Sequence, residues 1–179
     1  MKYISSQKNK GFTVVELLVS IAIIGLLSAV VFASFSQAQK KARIARRVSD
    51  LKQVQTALAY YYAVNKSYPN TNWEWRSSCS WWGSYAANNV IPGLVPNYIA
   101  NIPTDPQMNA SANTSCYVYA SNGTDYFFKA YNIVEFTAAD YFSRPELVDP
   151  ATDNGPNVQI VDGPNPTGWK IYTPGIAGW

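Results

Sequence analysis

Hydrophobic and polar positions follow three successive patterns along the 179 residues of the chain. In the first, no charged side chain lies between Leu17 and Phe35, and this run approaches the roughly 20 apolar residues that a membrane-spanning helix needs. In the second, apolar residues recur at spacings of three and four, as in an amphipathic helix. These residues are Ile44, Val48, Leu51, Val54, Leu58 and Tyr62. Because no proline occurs before Pro69, the two patterns predict one helix from about Phe12 to Asn65.

The third pattern, in the rest of the chain, is typical of β-strands. Residues 116–120 and 126–133 are rich in aromatic and β-branched side chains, and residues 121–125 have the composition of a turn. We therefore predict a β-hairpin with one face packed on the apolar stripe of the helix. A second pair of strands, 158–161 and Trp169–Tyr172, is predicted to extend the antiparallel sheet, with a short helical turn and a loop between the two pairs.

An irregular stretch, residues 71–89, precedes these strands and is dense in aromatic side chains. They are Trp73, Trp75, Trp81, Trp82 and Tyr85. Exposed, they would form a patch suited to a partner, a surface or a sugar. Packed against Cys79 and the sheet, they would form the core of a small domain, and we favour this second interpretation.

Cys79 and Cys116 are the only cysteines, and both follow the apolar run. Two thiols in a domain outside the cytoplasm usually pair. Closing this loop would contribute about 4 kcal/mol of stability in the loop-closure model. We therefore expect a disulfide, and two buried free thiols are the alternative.

The start of the apolar run is unusual. A polar leader with Lys2, Lys8 and Lys10 runs directly into Gly11, and Glu16 lies just inside the apolar segment. A carboxylate at membrane depth costs about 3 kcal/mol on insertion scales and therefore indicates a function; the alternative is a carboxylate that reaches back to the interface. The leader is too polar for the apolar region of an ordinary secretory signal, and the run ends without a small-residue cleavage site.

Residues 10–16, Lys-Gly-Phe-Thr-Val-Val-Glu, and the apolar run after them resemble the class III signal of type IV pilins and type II secretion pseudopilins. The resemblance is close over residues 8–35. It implies that a prepilin peptidase cleaves between Gly11 and Phe12 and methylates the new amino group of Phe12. In a filament, the carboxylate of Glu16 would pair with the cationic Phe12 amine of a neighbouring copy, which would compensate for its burial.

Two features depart from the family pattern. Ala33 stands where many members have a proline, so no proline kink is expected in the apolar helix. Both flanks of the apolar run are basic, so the resemblance, and not the positive-inside rule, places the leader in the cytoplasm and residues 36 onward outside. Residues 91–106 resemble the short helix and proline-rich turn that precede the sheet in many members.

The predicted fold class is α+β: a long N-terminal helix, membrane-spanning in its first half, packs onto a small antiparallel β-sheet head, as in pilins. Residues 1–11 are predicted to be a leader removed by prepilin peptidase. Residues 12–35 would form the membrane-spanning and filament-core half of the helix, and residues 36–66 its amphipathic half. Residues 67–179 would form the β-rich head.

Charge is unevenly distributed along the chain. Residues 40–52 hold six bases and one acid, whereas the chain from residue 53 onward holds five bases and nine acids. This suggests complementary contacts between copies or with lipid headgroups; a solvated face is the alternative. If the basic cluster from Lys40 to Arg47, with Arg43 and Arg46, met phosphate, the protein would bind nucleic acid. We do not favour this because the cluster would adjoin the bilayer.

The sequence lacks the residues of common catalytic sites. It contains no histidine, which excludes His-dependent triads and His metal sites, and no phosphate-binding or dinucleotide-binding glycine motif. We therefore expect no enzyme activity and no cofactor. Asp149, Asp153 and Asp162 are weak calcium candidates, because some pseudopilins bind calcium in a C-terminal loop, but their spacing does not fit an EF-hand. Solvated turn residues are the alternative.

These features predict a structural subunit of a type IV pilus, held in the inner membrane before assembly and then polymerised through its N-terminal helix at the cell surface. The filament would serve adhesion, motility, uptake or secretion. The alternatives are a type II secretion pseudopilin and a minor or DNA-uptake pilin with a binding role. The expected partners are identical or related subunits, prepilin peptidase, the assembly platform and the membrane.

Overall fold

Helix α1 (Val14–Asn65) is the longest element of the computed structural model, which describes residues 12–147 and 168–173. It passes through position 33 without interruption, which confirms the single helix predicted from the sequence. The helix ends where Lys66 enters the left-handed region, with φ 59°, and its N–H donates to the Tyr62 carbonyl at 2.8 Å. Such a left-handed residue is a common helix terminator.

The chain divides into two units, the first ending at Ala42 and the second beginning at Arg43. In the first unit, the large apolar side chains of α1 that the structure describes are exposed. They are Val14, Val15, Leu17, Leu18, Val19, Ile21, Ile23, Ile24, Leu26, Leu27, Val31, Phe32 and Phe35. Within residues 12–147 and 168–173, no helix combines the length and the hydropathy that crossing a membrane requires.

The second unit contains a four-stranded antiparallel sheet. In spatial order its strands are β1 (Arg76–Ser77), β2 (Cys116–Ser121), β3 (Tyr126–Tyr131) and β4 (Trp169–Tyr172). Strands β2 and β3 form the predicted hairpin, and the side chain of Asn122 closes its turn by accepting hydrogen bonds from two backbone N–H groups. Strand β4 confirms the predicted strand Trp169–Tyr172 of the second pair. The other predicted strand of that pair, 158–161, lies outside the described residues. The α+β fold class is confirmed.

Residues 91–99, where the family resemblance predicted a short helix, contain turns instead, so this prediction is wrong. Pro92 and Pro96 have no backbone N–H to donate, and Gly93 has a φ of 71°. A regular helix cannot accommodate these residues together. The segment still contributes to the core, because Leu94 is fully buried.

A short helix α2 (Ala138–Phe142) follows β3, as predicted for the region between the strand pairs. The hydroxyl of Thr137 accepts a hydrogen bond from the Asp140 N–H, and the Asp140 carboxylate accepts one from the Thr137 N–H. This capping box fixes the start of the helix. At its other end, the Tyr141 carbonyl accepts a hydrogen bond of 2.9 Å from the buried indole N–H of Trp169, which connects α2 to β4.

The apolar stripe of α1 and the sheet form one core, as predicted. Its fully buried members include Leu51, Val54, Leu58, Tyr119, Phe128 and Trp169. The prediction is wrong at Tyr62, whose side chain is 43% exposed. Tyr61 packs against the core instead, with its ring centroid 5.0 Å from that of Tyr98. Tyr61 and Tyr62 are three and four residues after Leu58, so both lie near the stripe. The contact with the Tyr98 ring favours the burial of Tyr61.

The other face of the sheet carries a second buried cluster, because successive residues of β2 point to opposite sides. The cluster consists of Cys79, Cys116, Val118 and Tyr131, with Trp75, Trp82 and Phe127 packed against it. This confirms that the aromatic segment packs against Cys79 and the sheet. Trp81 departs from this interpretation, because its side chain is 68% exposed.

The fully buried Arg47 of α1 connects the helix to two loops. Its guanidinium donates two hydrogen bonds to Asp105, at 2.6 and 3.0 Å, and one to Glu135. Arg43 completes the set with a bond of 2.6 Å to Glu135. Burial by itself raises the pKa of Glu135, but the hydrogen bonds from the two arginines reverse this and hold that pKa below its ordinary value. We call these four residues the Arg47 cluster.

We expect Arg47→Ala to lower the free energy of unfolding by about 3–5 kcal/mol, because it leaves the buried carboxylate of Asp105 without a charged partner. Arg46→Ala is the matched control. The Arg46 side chain is 57% exposed, so its loss should cost no more than about 0.5 kcal/mol. Chemical denaturation followed by circular dichroism measures both variants. Equal losses in the two variants would contradict the structural role of Arg47.

Candidate assembly site

Helix α1 begins with a capping box made by Thr13 and Glu16. The N–H and the hydroxyl of Thr13 donate hydrogen bonds to one carboxylate oxygen of Glu16, at 2.9 and 2.8 Å. In return the Glu16 N–H donates to the Thr13 hydroxyl at 3.2 Å. These bonds satisfy donors that the first turn of a helix leaves free. The negative side chain also lies at the end of the helix where the macrodipole favours it.

The predicted assembly residues Phe12 and Glu16 lie together at this end of α1. The side chain of Phe12 is 82% exposed, and that of Glu16 is also exposed. An amino group created at Phe12 would lie one residue from the Thr13 N–H that already binds the carboxylate. Both residues are thus accessible to a second copy of the chain, while their pairing stays a prediction. Gly11, the other predicted processing residue, lies outside the described residues.

Two hydroxyls inside the apolar part of α1 are satisfied by the helix itself. The hydroxyl of Ser20 donates to the Glu16 carbonyl at 2.7 Å, and that of Ser28 donates to the Ile24 carbonyl at 2.7 Å. A hydroxyl bonded to the carbonyl four residues earlier does not require water. The surface that follows Glu16 therefore presents mainly apolar side chains. A large exposed surface of this kind marks a contact with protein or membrane.

The predicted disulfide joins Cys79 to Cys116. Their Cα atoms are 6.2 Å apart, they are separated by 37 positions in the sequence, and both side chains are fully buried. Cys116 begins β2, whereas Cys79 immediately precedes a 3-10 turn, Ser80–Trp82. The disulfide therefore attaches the aromatic segment to the sheet.

Two arginines of the basic segment after the apolar run are engaged within the chain and not available to phosphate. Arg47 is fully buried, and Arg43 is bound to Glu135. Arg46 remains exposed, and its nearest acidic neighbour is Asp50 of the same helix at 3.9 Å. Arg43 and Arg47 therefore make their contacts with acidic residues of the same chain. Neither the solvated-face alternative nor the nucleic-acid alternative describes Arg43 and Arg47.

The calcium candidates Asp149, Asp153 and Asp162 lie outside the described residues. In the described ranges, no group of three or more cysteine or acidic side chains could hold a metal ion. The carboxylates of Asp105 and Glu135 are both bound to arginine.

Sequence reasoning missed two sets of residues for different reasons. The pair Thr13 and Glu16 has the spacing of a capping box, so a local signal was present in the sequence. Asp105 and Glu135 lie 58 and 88 positions from Arg47. No local pattern announces partners at such separations, because tertiary packing alone brings them together.

Residues 6–32 match the family model of the prokaryotic N-terminal methylation motif. The chain is 32% identical over 110 residues to the type II secretion system core protein G of Escherichia coli (strain K12), which covers 59% of this chain and 71% of that relative. Core protein G of Klebsiella pneumoniae is 33% identical over 101 residues, or 56% of this chain and 70% of the relative. The type IV major pilin protein PilA of Myxococcus xanthus (strain DK1622) is 31% identical over 61 residues, or 34% of this chain and 28% of the relative. No solved structure matches the chain.

The methylation motif includes the capping box of α1 and much of the exposed apolar surface after it. The alignment with core protein G of Escherichia coli spans 110 residues, more than twice the 52 residues of α1, and so it reaches into the head. The long N-terminal helix and the small antiparallel sheet have the architecture that the sequence resemblance predicted. The chain belongs to the family of type IV pilins and type II secretion pseudopilins.

Proposed function

We propose that this protein is a non-catalytic structural subunit of a helical filament, cleaved after Gly11 and polymerised through α1. The observation that carries the proposal is the exposed apolar surface of α1 with the carboxylate of Glu16 at its start. Apolar surface is unfavourable in water. A bilayer and a bundle of identical helices are the two environments that would bury it.

Cleavage after Gly11 would change the electrostatics at the start of the helix. It would convert the Phe12 peptide nitrogen into an amine, and methylation of that amine would keep its positive charge. In the filament, the Phe12 amine of one copy would then pair with the Glu16 carboxylate of a neighbour. In the single chain, this carboxylate accepts hydrogen bonds from Thr13. Because an unpaired charge in a buried site costs several kcal/mol, this pairing would select one register between neighbouring helices.

We expect Gly11→Val to block processing, because the added side chain lies at the bond that the peptidase must hydrolyse. Intact-mass spectrometry should find the wild-type chain starting at an N-methylated Phe12 and the variant still carrying residues 1–11. Ser28→Ala, whose hydroxyl bonds only within α1 among the described contacts, serves as the control and should be processed. A wild-type chain that retains its leader in normal cells would rule out the proposal.

We expect Glu16→Gln to be cleaved normally but to enter filaments at least about tenfold less efficiently, since it leaves the buried amine without a counter-charge. Glutamine keeps an oxygen that can accept the Thr13 hydrogen bonds, so this variant separates the charge from the helix cap. Immunoblots of the filament and membrane fractions measure the ratio, with Ser28→Ala again as control. Wild-type incorporation of Glu16→Gln would eliminate the charge-pairing step.

Before assembly, we place the apolar part of α1 in the inner membrane and the head outside the cytoplasm. The uncharged run from Leu17 to Phe35 supports the first placement. The disulfide supports the second, because disulfides persist in oxidising compartments.

In cells without the assembly machinery, the protein should therefore remain in the membrane pellet after alkaline carbonate extraction. Under denaturing conditions, Cys79 and Cys116 should react with an alkylating reagent only after reduction. Recovery of the protein in the supernatant, or free thiols before reduction, would contradict these placements.

The sequence alone favoured a pilus. The aligned lengths instead favour a secretion pseudopilus. The two core protein G relatives are matched over 71% and 70% of their lengths, whereas the pilin is matched over 28%. Negative-stain imaging of cells that produce the protein at its normal level distinguishes the two, because long surface filaments would identify a pilus.

A further inference from the structure

Trp81 is the most exposed aromatic side chain of the segment that the disulfide attaches to the sheet, with 68% of its surface accessible. Its indole ring lies nearly perpendicular to that of Trp82, at 84° with centroids 5.9 Å apart. The ring of Trp82 in turn meets that of Tyr131 edge-on at 4.6 Å and lies 6.0 Å from that of Trp75. Trp81 therefore extends from a packed aromatic base into solvent.

Several contacts fix the backbone on both sides of Trp81 in the sequence. Its N–H donates to the Asn113 side chain at 2.7 Å, and the hydroxyl of the preceding Ser80 donates to the Ala110 carbonyl at 3.0 Å. Cys79, one position earlier, is held by the disulfide. On the other side, Gly83 has a φ of 90°, where a Cβ would lie 2.4 Å from the Tyr85 ring. The indole is thus presented by a preorganised turn, which lowers the entropy cost of binding.

The described segments that hydrogen bonds place around Trp81 contain no charged residue. The hydrogen bonds to Ala110 and Asn113 place residues 80–84 beside residues 109–113, and both segments consist of Ser, Trp, Gly, Asn and Ala. Their exposed polar residues are Ser80, Ser84, Asn109 and Ser111. Between residues 77 and 124 the chain has a single charged side chain, Asp105, which is buried against Arg47.

Three charged residues contact tyrosine rings of the same aromatic region. Arg76 lies over the Tyr85 ring, 3.8 Å from its centroid, and donates to the Asn89 carbonyl. Glu74 accepts a hydrogen bond from the Tyr85 hydroxyl, and Lys129 lies 5.3 Å from the Tyr131 centroid. These side chains are engaged with tyrosine rings next to the surface, whereas the residues beside Trp81 are neutral.

We infer that Trp81 and its neutral rim form a binding surface for a neutral polysaccharide. A hexose ring has an apolar face of C–H groups, which fits the face of an exposed indole, and a rim of hydroxyls, which fits amide and hydroxyl side chains. Nucleic acids and acidic polymers require clustered cations to compensate for their charge, and residues 80–84 and 109–113 provide none. This inference goes beyond the filament role and does not depend on it.

The test uses the full chain in a nonionic detergent that contains no sugar headgroup. Isothermal titration with cellohexaose, mannohexaose and chitohexaose should detect binding to at least one of them, with an affinity that hardly changes between about 50 and 200 mM salt. Trp81→Ala should weaken this binding about tenfold, and Trp81→Phe, which keeps an aromatic face, should weaken it less. Tyr60→Ala, at a 65% exposed aromatic residue of α1, should bind as the wild type does.

Several outcomes would overturn the inference. One is no binding of the three oligosaccharides by the wild type at about 10 mM ligand. A second is binding that Trp81→Ala leaves unchanged in a variant with wild-type circular dichroism. A third is salt-dependent binding of single-stranded DNA that Trp81→Ala abolishes. Finally, loss of filament incorporation by Trp81→Ala would identify the surface as a contact between copies, whereas normal incorporation with lost sugar binding supports the inference.

Discussion

The burial of Arg47 is the constraint on which the head depends most. Its guanidinium is fully enclosed, and the carboxylates that balance it come from two loops that follow different parts of the sheet. Removing charges from water is costly unless geometry and hydrogen bonds compensate. Here the compensation is available only when α1 and the loops carrying Asp105 and Glu135 are all in place. The Arg47 cluster therefore specifies where these loops lie, while the apolar stripe of α1 supplies nonspecific burial.

The two parts of α1 use hydrophobic residues in opposite ways. From Val48 to Leu58 the apolar side chains are buried within the chain. From Val14 to Phe35 the described large apolar side chains are exposed, and the hydroxyls of Ser20 and Ser28 are satisfied within the helix. The part from Val48 to Leu58 packs into the core of the head. The part from Val14 to Phe35 remains available to a membrane or to other copies. This division suits a family whose members are named as pilins and secretion core proteins.

Several elements followed from local sequence because their signals are local. The uncharged run, the spacing of Val48 and Leu58, and the turn at Asn122 predicted α1 and the hairpin correctly. The 91–99 segment was predicted wrongly because resemblance to other members outweighed its own two prolines and Gly93. At the proposed assembly site, the motif predicted Phe12 and Glu16. Thr13 and Glu16 have the spacing of a capping box, but the box forms only if the helix begins just after Thr13.

The sequence by itself determined the family, the long helix and the apolar surface after Glu16, because periodicity and motif spacing are properties of neighbouring positions. It also determined the cysteine pair, because the chain contains only two cysteines. Tertiary structure alone decided the partners of Arg43 and Arg47, the choice of Tyr61 over Tyr62, and the exposure of Trp81 beside the half-buried Trp82. These outcomes depend on which distant segments meet. A basic run or a pair of adjacent tryptophans has the same local pattern whether its members are buried or exposed, and only the packing of the sheet and loops distinguishes the two.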